Sequence, residues 1–386
     1  MSTHVPSQKN RIMRPIFSAD KEAVMGQKLI TRDLNLEDCE RLPALLENVW
    51  NIKTTPEYWK WKFFAPPFET GNLVFEDNNG EIVGFTGFWF RPTHFDDQDI
   101  YPATIVDVMA DPSYRQGRVA RFIVQSVEAE CNKRFVFGFT NPISHNLFLK
   151  KLPQLISMDT RISVYQALIK AGSFFTTHKT IKEIGDHVSR FGHKLRFAWP
   201  SKKGLSVYQT NTVDEEFDRL WEETRGGYCW IQRRDREYIT WRYLFDPTHT
   251  YQVWKAVESG KLVGCMVTTV EQEHGRIRGL FVDWMVPKDC EDVFREMVRT
   301  ALNWFISQEV DVVETWLMDH EKHWKRVLRT CFFVKAKHSR SLLIAAGPLD
   351  KNPKTHAPDN FFFTLGDSDY LGMSRSNKSL TKVVEK

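Results

Sequence analysis

The stretch that decides the fold is IVDVMADPSYRQGRVA, residues 105–120. Its first six residues are apolar except for Asp107, which predicts a buried strand that stops at the Asp-Pro pair. A short basic loop containing Gly117 follows, and apolar residues at helical spacing up to Cys131 predict an amphipathic helix. Backbone N–H groups at such a helix start suit a phosphate or pyrophosphate, and arginines add charge-assisted hydrogen bonds. An ordinary strand–turn–helix connection with solvated arginines is the alternative interpretation.

Working outward from this stretch, the chain shows an internal repeat with a spacing of about 180 residues. Three short phrases recur in the same order: EYWKWKFF at 57–64 and EYITWRYL at 237–244, NGEIVG at 79–84 and SGKLVG at 259–264, VDVM at 106–109 and VDWM at 282–285. A spacing this long excludes a solenoid and predicts two duplicated domains. Two half-buried hairpins that happen to share turn chemistry are the alternative.

Each copy has the same predicted order of elements. An amphipathic helix, around Leu36–Val49 and again around 214–224, precedes the Trp-rich phrase, and strands joined by an Asn-Gly or Ser-Gly turn follow it. The strand that ends in Asp-x-Met leads to a long helix, placed at Glu291–Ser307 in the second copy, and then to another strand. This order predicts an α+β (α/β) fold of two tandem domains, each a mixed, mostly antiparallel sheet flanked by helices.

The repeat divides the 386 residues into five parts. We expect a flexible leader at 1–27, an N-terminal domain at 28–170, a basic linker at 171–206 with one connecting helix, a C-terminal domain at 207–372 and a flexible tail at 373–386.

Composition and charge exclude several classes of function. The net charge of +4, from 53 basic and 49 acidic residues, is too small to indicate a nucleic-acid or membrane-surface partner. No apolar stretch approaches the roughly 20 residues that span a bilayer, and the N-terminus has no apolar signal core. The six cysteines lack zinc spacing and are typical of free thiols in a reducing compartment. The sequence therefore predicts a cytoplasmic protein without a metal.

The loop at 115–120 resembles the acetyl-CoA pyrophosphate loop of the GNAT N-acetyltransferase superfamily, whose pattern is [Arg/Gln]-x-x-Gly-x-[Gly/Ala]. Arg115 and Ala120 match, but Arg118 stands where the family has its inner glycine, and Gly117 lies one place earlier. A Cβ at that position can crowd the approach of the backbone to the phosphates. The phrase at 59–67 is similar to the Trp-x-Trp-Lys-Tyr-x-x-x-Pro motif of a tandem group in this family.

The resemblance extends past the next strand, because residues 139–144 with Phe148 resemble the segment that lines the family's CoA channel. This sequence departs from the family in two ways. It has no Tyr near Phe148 to act as the general acid, and Leu-Pro-Gln at 152–154 replaces the family's Leu-Gly-Phe ending. The resemblance implies two tandem GNAT-like domains and the following acetyl-CoA-binding residues: Val108, Met109, Ala110, Arg115, Gln116, Gly117, Arg118, Val119, Ala120, Asn141, Ser144 and Phe148.

The reaction implied is direct attack of an amine, on a small molecule or an amino sugar, on the acetyl-CoA thioester. The backbone of 108–110 would pair with the pantetheine arm, and one of its N–H groups would polarise the thioester carbonyl. Asp107 is the best candidate base by position, directly or through a water, although a buried carboxylate there could also cap a turn. No residue stands out as the general acid; Tyr101 and Tyr114 lie in the region.

The second copy lacks a phosphate loop, because the acidic, glycine-free stretch KDCED at 288–292 would repel a pyrophosphate. We therefore expect this copy to be a structural or substrate-recognising partner. A degenerate, non-catalytic pair acting as a binding or regulatory module is the alternative function. The stretch GDSD at 366–369 resembles a metal loop only superficially and is interpreted as a turn, although such an ending recurs in the tandem group.

Overall fold

A computed structural model describes residues 29–114, 117–157, 162–172, 179–197, 202–273, 275–345, 347, 354 and 361–369. The predicted leader and tail, and the loop residues Arg115 and Gln116, lie outside these ranges. Among the described residues, no helix is both long and apolar enough to cross a lipid bilayer.

The first half of the chain runs through strands and helices in the order that the repeat predicts. Its elements are β1 (Ile30–Asp33), α1 (Leu42–Trp50), α2 (Pro56–Phe64), β2 (Thr70–Glu76), β3 (Ile82–Trp89), β4 (Thr93–Phe95), β5 (Gln98–Ile100), β6 (Ala103–Ala110), α3 (Arg118–Cys131), β7 (Val136–Thr140), α4 (Pro142–Lys151), β8 (Ile156–Ser157) and β9 (Ile162–Leu168).

The second half repeats this order after a connecting helix in the predicted linker. Its elements are α5 (Lys179–Phe197), β10 (Leu205–Thr210), α6 (Glu215–Arg225), β11 (Trp230–Gln232), α7 (Arg236–Ile239) with the π-helical turn Thr240–Leu244, β12 (Tyr251–Glu258), β13 (Lys261–Glu273), β14 (Arg276–Met285), α8 (Glu291–Ser307), β15 (Val312–Met318), α9 (Lys322–Thr330), β16 (Val334–Ala345) and β17 (Phe361–Phe362). The helix predicted at Glu291–Ser307 is confirmed, whereas the one predicted at Leu36–Val49 is split into a 3₁₀ turn at Glu37–Glu40 and α1.

The two halves exchange their last long strands within one sheet. The order of this thirteen-stranded sheet is β1-β2-β3-β6-β7-β16-β9-β15-β14-β13-β12-β10, with β8 also paired to β16. Strand β9 of the first half pairs with β15 of the second, and β16 of the second half pairs with β7 of the first. The predicted mixed, mostly antiparallel arrangement with flanking helices is confirmed. The exchange was not predicted, and it joins both halves into a continuous sheet.

The two Trp-rich phrases form helices that contact each other through their tryptophans. The indole N–H of Trp61 in α2 donates to the backbone oxygen of Trp241 at 2.9 Å, and the indole N–H of Trp241 donates to the backbone oxygen of Trp61 at 3.0 Å. The two rings stack with centroids 5.3 Å apart. This reciprocal pair joins the two halves, and both side chains are buried. Both tryptophans of the repeated phrase therefore have a core role.

A glycine in each hairpin phrase lets a helix approach the sheet. A Cβ built on Gly84 of β3 would lie 2.4 Å from Cγ1 of Val119, near the start of α3, and a Cβ on Gly264 of β13 would lie 3.0 Å from Cγ1 of Val293 in α8. The glycines therefore fix where α3 and α8 begin above the sheet, and α3 begins at the loop that the sequence singles out.

We predict that Trp61→Phe and Trp241→Phe each lower the free energy of unfolding by about 1–3 kcal/mol, because each change leaves a buried backbone oxygen without its donor. Chemical denaturation monitored by circular dichroism measures this. The half-buried Trp304 of α8 provides a control, and Trp304→Phe is expected to cost less. Unfolding midpoints of the two central variants equal to that of the unmodified protein would contradict the role assigned to the pair.

We also predict that Gly84→Ala destabilises the protein by about 1–3 kcal/mol, because the added methyl group overpacks the contact with the β-branched Val119. Gly226→Ala is the matched control: Gly226 ends α6 with a φ of −63°, and no atom lies within 4 Å of its built Cβ. The control should change the unfolding free energy by less than about 0.5 kcal/mol. Equal stability of both variants would show that α3 can shift without cost.

Candidate active site

Strands β6 and β7 stop pairing after two residues, and the gap beyond their last pair is called the cleft below. They pair in parallel only at Ala103 with Val136 and at Thr104 with Phe137. Beyond this point β6 continues to Ala110 with β3 on its other side, while β7 pairs with β16. Within the described part of the chain, no strand pairs with the cleft edge of residues 105–110. This edge therefore offers backbone N–H and C=O groups to an extended ligand.

A β-bulge lies in the middle of this open edge. Val106 is opposite Gly87 and Met109 is opposite Phe85, so that Asp107 and Val108 together face one residue of β3. Asp107 has a φ of 48°, in the left-handed region that non-glycine residues seldom adopt. Bulges redirect the groups on a strand and are over-represented next to active sites. Here the bulge turns the N–H of Asp107 away from the ladder, and it donates to Oδ2 of Asp369 at 3.1 Å.

The side chain of Asp107 belongs to a buried charge cluster. Its carboxylate forms an ion pair with the ammonium of Lys62 from α2, which also donates to the hydroxyl of Tyr58 at 3.1 Å and lies 3.9 Å from Oδ2 of Asp369. Burial raises the pKa of the Asp107 carboxyl to about 6, although Lys62 acts in the opposite direction. Burial also acts to lower the pKa of Lys62, but Asp107 and its neighbours outweigh this and hold that pKa above its usual value.

Helix α3 begins next to this cleft. Gly117 precedes its first residue in an extended conformation, and its N–H donates to the backbone oxygen of Tyr114 at 3.3 Å. The hydroxyl of Tyr114 donates to Asp77 in the hairpin at 3.1 Å, which ties the loop to the sheet. Arg118 and Ala120 are half-buried, and Val119 is buried against the sheet. The structure therefore brings Gly117–Ala120 together at a helix N-terminus; Arg115 and Gln116 lie outside the described residues.

The residues predicted on α4 have structural partners. Oδ1 of Asn141 accepts from the N–H groups of Ile143 and Ser144 at 3.0 Å, so that Asn141 caps the helix and Ser144 is part of the cap. Phe148 is fully buried in the core with Val127, among others. Packing leaves its ring no surface open to solvent, and its contact with a cofactor stays a prediction. The apolar face of an amphipathic helix fits a core and a ligand channel equally well from sequence.

Two residues of the cluster were not predicted as site residues. Lys62 lies in the quoted Trp-rich phrase, and Asp369 ends the GDSD stretch that was interpreted as a turn. That turn is present, as a 3₁₀ helix at Leu365–Asp367. A third missed group is His145 on α4, whose Nδ1 lies 3.0 Å from the hydroxyl of Thr140 and whose pKa is lowered by burial. A lone histidine in the sequence gave no signal for it.

The stretch 361–368 is buried between the two halves. Asp367 accepts from Arg91 of the first half at 2.9 Å and from Arg234 of the second half at 2.5 Å. Arg234 also donates to Asp283, the counterpart of Asp107 in the second copy, at 2.8 Å. The stretch 361–369, called the C-terminal segment below, is thereby fixed by ion pairs to both halves.

The corresponding position in the second copy is occupied by the protein's own side chains. Besides Arg234, Asp283 accepts from the hydroxyls of Thr364 and Tyr243, each at 2.8 Å. Strands β14 and β15 also separate, past Phe281, but the C-terminal segment lies against β14 there. The cleft in the first half is thus the one that retains an accessible carboxylate, that of Asp369.

Comparison with known proteins agrees with this geometry. Residues 34–152, which contain the bulge, the loop and α4, match the model of the acetyltransferase (GNAT) family. No curated protein shows a significant sequence match.

Three solved structures show the similarity of the whole fold. A GCN5-related N-acetyltransferase from Anabaena variabilis is 14% identical over 82% of this chain and 72% of that one, with a TM-score of 0.56. Saccharomyces cerevisiae N-myristoyltransferase with bound myristoyl-CoA is 11% identical over 88% and 85%, with a TM-score of 0.58. A tandem GNAT protein from the clavulanic acid biosynthesis pathway is 12% identical over 82% and 97%, with a TM-score of 0.53. Residues 34–152 therefore match the acetyltransferase (GNAT) family, and the chain as a whole has the fold of a tandem GNAT protein.

Proposed function

We propose that this protein transfers an acetyl group from acetyl-CoA to an amine of a small molecule or a sugar, by direct attack of the amine on the thioester. The observation that carries the proposal is the open, bulged edge of β6, which leads within one loop to the N-terminus of α3, inside the stretch that matches the family model. A strand edge and a helix N-terminus supply the backbone donors that an extended, phosphate-bearing ligand needs.

The residues present fit the two ends of such a ligand. The backbone of Val108–Ala110 would pair with the pantetheine arm, and Arg115–Ala120 would hold the pyrophosphate at the start of α3. Gly117 is extended and exposed at this point, so that its backbone is approachable. Arg118 takes the place of the family's inner glycine, and its guanidinium adds a cation to the same loop. When bound, the thioester supplies the activated acyl group.

The second half is proposed as a partner without its own acyl-CoA site. Its counterpart of Asp107 accepts hydrogen bonds from three side chains. The loop before α8 carries Asp289, and the first turn of α8 carries Glu291 and Asp292, where the first copy has arginines. We keep the division into domains at 28–170 and 207–372 as part of the proposal, with the exchanged strands crossing between them. None of the six cysteines, all of which lie among the described residues, forms a disulfide, as expected for the proposed cytoplasmic location.

We predict that isothermal titration calorimetry detects acetyl-CoA binding, and that Arg115→Ala and Arg118→Ala each weaken it by about 10- to 100-fold. Each variant loses a charge-assisted contact to phosphate, which contributes about 1.5–3 kcal/mol. Arg295→Ala is the matched control, since it removes the same charge from the first turns of α8, the counterpart of α3. Its dissociation constant should equal that of the unmodified protein.

The outcomes separate the two functions that the sequence left open. Equal weakening by all three variants would contradict the assignment of the phosphate loop to the first half. No heat and no thermal shift at millimolar acetyl-CoA would overturn the enzyme proposal. Binding without acetyl transfer to any amine, with release of CoA thiol as the readout, would favour a non-catalytic binding module.

A further inference from the structure

The C-terminal segment carries a carboxylate into the cleft of the first half. We propose that Asp369 is the catalytic base that takes the proton from the acceptor amine, while Lys62 and Asp107 are positioning residues. This inference rests on the proposed function and assigns the proton transfer within the same cleft to a residue near the end of the second half of the chain.

Access distinguishes the two carboxylates. A general base must come within hydrogen-bond reach of the proton that it accepts. The side chain of Asp107 is 1% exposed and is enclosed with the ammonium of Lys62, which is also 1% exposed. The side chain of Asp369 is 18% exposed. An amine that enters from solvent can therefore contact Asp369 directly, whereas it can reach Asp107 only through an intermediary.

The neighbours of Asp369 hold one of its carboxylate oxygens and make no contact with the other. Oδ2 accepts the N–H of Asp107 at 3.1 Å and lies 3.9 Å from the ammonium of Lys62. Within the described residues, no hydrogen bond or ion pair reaches Oδ1. One end of the carboxylate is thus anchored at the bulge, next to the strand edge proposed to bind the pantetheine arm. The other end is available to an amine placed beside the thioester.

The buried ion pairs hold Asp369 in place. Asp367, two residues earlier, is bound by Arg91 and Arg234, and the backbone oxygen of Ser368 accepts from Arg242 at 3.3 Å. These contacts come from both halves of the chain, and all three arginines are buried. The base is therefore positioned only when the second half is folded against the first, which gives that half a role in catalysis without a CoA site of its own.

The proposed step balances as follows. The carboxylate of Asp369 takes one proton from the ammonium group of the acceptor, and the freed lone pair forms the N–C bond at the thioester carbonyl. The C–S bond breaks with its electron pair on sulfur. The proton that the new amide nitrogen sheds goes to the departing thiolate. The products are the amide, the CoA thiol and protonated Asp369, which returns its proton to water.

The test compares nucleophiles that do and do not need a base. Glucosamine, lysine and putrescine each carry an ammonium form at neutral pH, whereas hydroxylamine is largely unprotonated there. With acetyl-CoA and an ammonium acceptor that the unmodified protein acetylates, Asp369→Asn is expected to lower kcat/KM by about 10²–10⁴-fold. The rate with hydroxylamine, the dissociation constant of acetyl-CoA and the melting temperature should stay within a few-fold or a few degrees of the unmodified protein. Asp369→Glu should restore part of the lost rate.

Asp289→Asn is the matched control, since it makes the same change at an exposed residue of the second half and should alter neither rate. Equal losses with both kinds of nucleophile would show a structural role and overturn the proposal, as would an unaltered rate with the ammonium acceptor. If the unmodified protein binds no acetyl-CoA, or binds it and acetylates no amine, the proposed function fails and this inference fails with it. If only the role of Asp369 is wrong, the unmodified protein still binds acetyl-CoA and acetylates an amine, so the two failures can be told apart.

Discussion

The rest of the structure depends on the reciprocal hydrogen bonds between Trp61 and Trp241. Each indole donates to the other residue's backbone oxygen, so that neither helix can rotate or slide without leaving a buried donor and a buried acceptor unpaired. Because a helix fixes its residues in rotation, the next residue in each phrase is placed as well. These are Lys62 and Arg242, and each of them enters the buried charge clusters between the halves. One pair of aromatic residues thus sets where the charges lie.

Those charges determine the position of the C-terminal segment more than they raise the free energy of unfolding. Lys62, Arg91, Arg234 and Arg242 are buried, and so are Asp107, Asp283 and Asp367. Burying ions costs about as much as their attraction returns, but removing one partner leaves an uncompensated charge and costs about 3–5 kcal/mol. The cluster therefore permits few alternative arrangements of the C-terminal segment. The strand exchange also limits how the two halves can be arranged, because β9 and β16 each pair with a strand of the other half.

Local patterns predicted the order of the elements, and the spacing of 180 residues predicted the relation between the two Trp-rich phrases. They could not predict the strand exchange, because the pattern of apolar residues along β9 and β16 is the same whichever strand lies beside them. They could not show that Phe148 packs in the core, because an apolar helix face does not reveal whether it covers a core or a channel. They found the turn at 366–369 but not its target, since the residues opposite Asp369 lie more than 250 positions earlier in the chain.

Both halves contain a bulged strand with a buried aspartate, but its surroundings differ between them. Each has a bulge beside an aspartate on a strand that separates from its parallel neighbour. In the second half the C-terminal segment covers that strand with Thr364 and Asp367, together with Arg234, and the aspartate has no capacity left for a ligand. The same segment then continues to the first half, where it ends at the bulge with a carboxylate only partly covered. The C-terminal segment therefore covers the strand edge of the second half and brings the carboxylate of Asp369 to the strand edge of the first half. If the first copy holds the phosphate loop as proposed, the second copy acts as the support that places Asp369, through Arg234 and Arg242.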